Sequence, residues 1–187
     1  EEGGAIHLNT ASPAIVNCII RDNDAIFGSG IHTYNLAATL NIDSCTFLNN
    51  KSQNLGAALK FEKGSGTGNV EVKNCNFKAN ISNGNGGVAC IHGVPARFIN
   101  CLASGNRIGS NNQGIFHVMM NATATFDNCT IAGNAGVSGC SAIYISDGGS
   151  FANANNSIIH SNAMQYPVFG PGTFNPQYCF INGNYAG

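Results

Sequence analysis

Over short stretches the chain alternates apolar and polar residues one for one. In "LNIDSCTFLNN", 40–50, apolar Leu40 and Ile42 flank Asn41, and Asp43 follows; "VEVKNCNFKAN", 70–80, places Val70 and Val72 around Glu71. "ATFDNCTIAGN", 124–134, does the same with Ala124 and Phe126 around Thr125. A period of two predicts strands with one buried face. Each such strand ends at a step of Asn then Cys, after which the phase resets. Ile20, Phe47, Phe77, Ala103, Ile131, Ile159 and Ile181 follow two residues beyond the Cys position and predict a second strand. A third strand opens each copy, at "GAIHL" 4, "GIHTY" 30, "AALKF" 57, "ACIHG" 89, "IFHVM" 115 and "AIYIS" 142. Its inward positions are expected at Ile6, Ile31, Leu59, Cys90, Phe116 and Ile143. No segment sustains the i, i+3, i+4 spacing of an amphipathic helix.

The copies recur. Cys18, Cys45, Cys75, Cys101, Cys129 and Cys179 occupy one position of the motif, Ser157 replaces Cys once, and the period is about 27 residues. Short strands repeating at that interval predict an all-β fold, a right-handed parallel β-helix of about seven coils with three strands per coil, forming one domain over 1–187. Asn17, Asn74, Asn100, Asn128 and Asn156, with Ser44 once, fall where one strand bends into the next, and Asn tolerates the left-handed backbone of such bends. Stacked in successive coils, their side chains are expected to hydrogen-bond along the axis. A second Asn, at 23, 50, 80, 106, 134, 162 and 184, closes each copy, and Gly at 4, 30, 56, 87 and 114 supplies the remaining bend.

Composition narrows the functional classes. A formal charge of -1 with 9% charged residues leaves no electrostatic footprint for nucleic acid or an anionic membrane. No apolar run approaches the roughly 20 residues of a membrane span, and no basic segment precedes an apolar one, so the chain is expected to hold neither anchor nor signal peptide. The eight cysteines form no C-x-x-C pair, which argues against zinc or thioredoxin-like chemistry. In-register side chains of a parallel stack point the same way and not at each other. The Cys column is therefore expected to be buried free thiols, with no metal and no cofactor.

"GGAI" at 3–6 with "FLNN" at 47 and "FKAN" at 77 resembles the GGAI and FxxN repeats of polymorphic outer-membrane proteins. "NSIIHSN" at 156 with "YCFINGNYAG" at 178 is similar to the last coils of bacterial surface β-helices known as choice-of-anchor Q domains. These resemblances imply an extracellular or cell-surface β-helix with a structural or adhesive role. The architecture also resembles that of pectate lyases, which implies a competing enzyme reading: a carboxylate cluster holding Ca²⁺ beside a basic residue that takes a proton from a uronate. Asp43, Glu71, Arg97 and Asp127 are the set that could imitate it, although Asp43 and Asp127 stand three rungs, about 14 Å, apart.

Other candidates lie on the outside of the opening strand. His7, His32 and His117 share a column with Lys60 and Tyr144, and His7 and His32, one rung apart, could share a metal. Tyr34, Tyr144, Tyr166 and Phe169 could stack on a carbohydrate. Finally, no cap is visible at either end. The spacing from Asn23 to Gly30 matches that from Asn184 to the end of the chain and on to Gly4 of a second copy. Gly4, Ile6, Ile181 and Asn184 are accordingly expected to meet head to tail, in a homopolymer or against neighbouring coils of a longer surface protein.

Overall fold

The computed structural model describes residues 3–111, 113–160 and 162–182. Its strands stack into four sheets, three of seven strands and one of five, with every pairing parallel and no helix among the described residues. The result is a β-solenoid of about six turns. One turn runs through Ile31–Tyr34 in the first sheet, Leu40–Asp43 in the second, Thr46–Leu48 in the third and Lys51–Leu55 in the fourth. Each strand pairs with its equivalents one turn before and after, as Val70 does with Leu40 and Ala96.

Five turns thus carry a fourth strand where three per turn were expected. The fourth follows the closing Asn, at Asp24–Phe27, Lys51–Leu55, Ile81–Ser82, Arg107–Ile108 and Ala135–Gly136. It carries almost no apolar signal, because two of its inward positions are the fully buried Ser52 and Ser82. Their hydroxyls donate to the carbonyls of Ile26 and Asn54, at 3.0 and 3.1 Å, and so satisfy themselves without an apolar side chain.

Inside, columns of like residues fill the stack. Phe47 lies on Phe77 with ring centroids 5.0 Å apart, and Phe98 on Phe126 at 5.3 Å, while Phe116 meets both Phe98 and Phe126 edge-on. The inward column of the first sheet reads Ile6, Ile31, Leu59, Ala89, Phe116 and Ile143. Ala89, not Cys90, takes the inward place, since Cys90 is in register with Lys60 and His117.

The bend between second and third sheets is left-handed in every turn. Asn17, Ser44, Asn74, Asn100, Asn128, Asn156 and Tyr178 have φ between 48 and 55°. That conformation is costly for most L-residues and least so for Asn and Gly. The bend into the first sheet needs glycine for space: a Cβ on Gly30 would lie 2.4 Å from the carbonyl oxygen of Ala58.

Candidate functional site

The outer face of the second sheet carries the four residues of the lyase-like set. Glu71 is in register with Arg97 and Asp43 with Lys73, yet the side chains pair otherwise. Lys73 Nζ reaches Glu71 Oε2 of its own strand at 2.6 Å, and Arg97 Nε reaches Asp127 Oδ2 of the next rung at 2.6 Å. Asp43 accepts from Asn74 Nδ2 at 2.9 Å and Ser44 Oγ at 3.0 Å, bonds that hold its carboxyl below the usual range. Asp127 also accepts from Asn155 Nδ2 at 2.7 Å. A shallow cleft of about 250 Å³ separates Glu71 from Arg97, but no convergent group of carboxylates lines it. Among the described residues no three His, Cys, Asp or Glu side chains are grouped to hold a metal ion.

The outer face of the first sheet is richer. Its first column runs His7, His32, Lys60, Cys90, His117, Tyr144 and Phe169. His7 and His32 stack edge to face, with centroids 4.9 Å apart. Beyond His7 this column is not a solvated edge: His32 is 1% exposed and His117 2%, and Lys60 and Cys90 are buried as well. The bends that lead into the sheet fold back over it. A Cβ on Gly28 would lie 2.8 Å from that of His32, and the Phe27 ring covers Lys60 Nζ at 4.4 Å from its centroid. Among the described residues neither ring nitrogen of His117 has a hydrogen-bond partner, and the ring leans on Tyr144 at 5.0 Å. Burial pushes its pKa down to about 4, against a smaller opposing pull from the charge of Asp147.

A second outward column of this sheet contains Tyr34, Glu62, His92 and Met119. Glu62 is its centre. Oε2 accepts from the buried Lys60 ammonium at 2.5 Å and lies 3.7 Å from His32 Nε2, while Oε1 stands 3.9 Å from His92 Nδ1. Burial alone would raise the Glu62 carboxyl, but the bond and charge of Lys60, then His92 and His32, outweigh it and leave the group below its usual range. With Tyr34, Lys63, His92 and Met120, Glu62 lines an open cavity of about 280 Å³. Glu62, Lys63 and His92 are absent from the sequence-based candidates. The signal that finds them is the register of "IHTY", "LKFE" and "CIHG", which places Tyr34, Glu62 and His92 in one file.

The ladder residues divide by role. The exposed Asn17, Asn74, Asn100, Asn128 and Asn156 shape bends, and only a few bond axially, as Asn100 Nδ2 does to Asn74 Oδ1 at 3.2 Å. The continuous ladder is formed by the closing residues Asn23, Asn50, Asn80, Asn106, Asn134 and Asn162, the first five each donating Nδ2 to the Oδ1 of the next at 2.8 to 3.0 Å. All eight cysteines are free thiols. Cys45, Cys75, Cys101 and Cys129 are buried, Cys18 and Cys179 partly so, and the sulfurs donate to backbone carbonyls, as Cys45 does to Asp43 at 3.2 Å. Ser157 fits the same place, its oxygen accepting from Cys129 N at 3.0 Å. At the ends, Gly4 packs on Ser29 of the next turn and Ile181 pairs with Ile159, while Asn184 lies outside the described residues. Comparison with known proteins adds no relative: no family profile, curated protein or solved structure matches the chain.

Proposed function

We propose that this chain is a non-enzymatic structural and adhesive module of the cell surface or extracellular space, whose turns continue head to tail into those of a second copy. The observation that carries this reading is that the regular bonding runs along the axis, each strand pairing with its equivalents in neighbouring turns throughout the described stack. Among the described residues, Ile6–Asn9, Ala14–Val16 and Ile19–Arg21 each pair on one side alone, as do Tyr166–Phe169, Thr173–Gln177 and Phe180–Ile181. Ile6 and Leu8 at one end and Ile181 at the other are only partly buried. Such edges are templates for further strands.

The buried cysteines do not oppose an exported setting. Burial pushes the thiol of Cys45 up to about 11 and that of Cys90 to about 12. Thiols held protonated in this way are poor nucleophiles and resist oxidation without needing to pair. The pairing of Glu71 with Lys73 and of Arg97 with Asp127 in turn leaves the lyase-like set without a free base.

Electron microscopy with native mass spectrometry tests the proposal. Filaments one solenoid wide, with an axial repeat of roughly 34 Å for seven stacked rungs, are expected, and Ile181→Lys should abolish them while leaving the circular dichroism spectrum unchanged. A chain that remains a 19.4 kDa particle at high concentration refutes head-to-tail stacking.

A further inference from the structure

We infer that the cavity beside Glu62, between Tyr34, Lys63, His92 and Met120, is a binding site for a single neutral sugar residue. The inference gives the adhesive part of the proposed function a ligand class, and it stands apart from axial stacking, which is read by a different measurement.

The polar groups of the cavity are placed for a hydroxyl. Glu62 Oε1 and His92 Nδ1 are 3.9 Å apart, too far to bond each other. Both are within reach of one hydroxyl set between them, which would donate to the carboxylate and accept from the imidazole N–H. The carboxylate is already oriented, because its other oxygen is tied from below by the Lys60 ammonium at 2.5 Å, and Lys60 is itself fixed under the Phe27 ring. An acceptor held in place before binding loses little freedom when the ligand arrives.

Apolar groups supply the rest. Tyr34 is 38% exposed and Met120 projects at the opposite side, so a sugar ring entering the cavity meets an aromatic surface and a thioether. Gly64 and Gly93 line the mouth with positive φ of 50 and 70° and bring no side chain into it. A Cβ on Gly93 would sit 3.2 Å from that of Lys63 and narrow the opening. The volume of about 280 Å³ falls just below the usual range of ligand pockets, which suits one ring of a glycan.

Hydrogen-bond direction selects against a carboxylate at this place. Glu62 Oε1 needs a donor, which a hydroxyl supplies and a uronate carboxylate does not. Catalysis is disfavoured by the same group. A carboxyl held below its usual range is ionised at neutral pH and a weak base there, so it accepts hydrogen bonds more readily than it moves protons.

The test uses saturation-transfer and ¹H–¹⁵N shift-perturbation NMR on the whole chain, with methyl glycosides of glucose, galactose and mannose as neutral probes and methyl glucuronide as the acidic one. At least one neutral glycoside is expected to bind with millimolar affinity, shifting the amides of Tyr34, Glu62, Lys63, His92 and Met120. Tyr34→Ala and His92→Ala should each weaken it by about tenfold or more. Both lie on the surface and keep the Lys60–Glu62 pair, whereas Glu62→Gln strips a buried ammonium of its partner and endangers the fold. No shift with any neutral probe overturns the inference. So does binding that survives both variants, or tighter binding of the glucuronide. Filaments seen by microscopy would still stand after any of these results.

Discussion

His117 gives the solenoid an acid sensitivity that one substitution should remove. Its imidazole is neutral in the folded chain, with a pKa pushed from 6.5 down to about 4, and its two nitrogens are buried without partners among the described residues. The unfolded chain takes up the proton at the ordinary pKa and the folded one does not. Stability is therefore unaffected above pH 6.5, falls as the pH drops through the window from 6.5 to 4, and has lost its full increment below it. At 1.36 kcal/mol per pKa unit, the loss is roughly 2 to 3 kcal/mol at pH 4.5 and about 3 kcal/mol at the limit. His117→Phe keeps the contact with Tyr144, removes both orphaned nitrogens and abolishes the proton uptake. Urea unfolding of wild type and variant at pH 7.0 and pH 4.5 measures the difference. Between these pH values the wild-type unfolding free energy should fall by roughly 2 to 3 kcal/mol more than that of His117→Phe. Loss of carboxylate bonds such as those of Asp43 and Glu62 is common to both proteins and cancels. Parallel pH dependence in the two proteins would refute a buried neutral imidazole at this position.

Four further outcomes follow from the geometry. Asn80→Ala removes bonds to Phe47 O, Asn106 Oδ1 and the backbone and side chain of Asn50, and should cost about 3 kcal/mol or more by chemical denaturation. Asn128→Gly, at an exposed left-handed bend, should change stability by less than about 1 kcal/mol. A thiol reagent applied to the native chain should modify Cys18 and Cys179 first, while the six buried cysteines wait for unfolding; rapid reaction of all eight would contradict the buried column. Arg97 is 54% exposed in its pair with Asp127, so Arg97→Ala should lower stability by roughly 0.2 to 1 kcal/mol, and a larger loss would mean that the pair is buried in solution.

Legibility in the sequence depended on how many faces of a strand are dry. The second and third sheets have one dry face, so Leu40 and Ile42 or Val70 and Val72 alternate with polar residues and declare their phase. The first sheet has two. Ala89, Cys90 and Ile91 are all buried, alternation vanishes, and the phase of that strand is ambiguous by one residue. The slip had consequences for function. Reading Cys90 as inward turns His92 inward with it and hides its place beside Glu62, although Tyr34, Glu62 and His92 are plain in sequence once the register is known. The burial of His32 and His117 was illegible for another reason: the cover comes from bend residues such as Phe27 and Gly28, whose path over the sheet no local pattern specifies.

The asparagine row is also an arrow. Every side-chain amide from Asn23 to Asn134 gives its proton to the oxygen of the residue that follows in the row, and none gives it backward along the row. Aligned dipoles polarise one another, so each amide is a better donor for having a neighbour behind it. A fracture at any height of the row leaves protons on one broken surface and lone pairs on the other. The two surfaces complement each other but neither complements itself, and this row of bonds can be mended in one orientation alone.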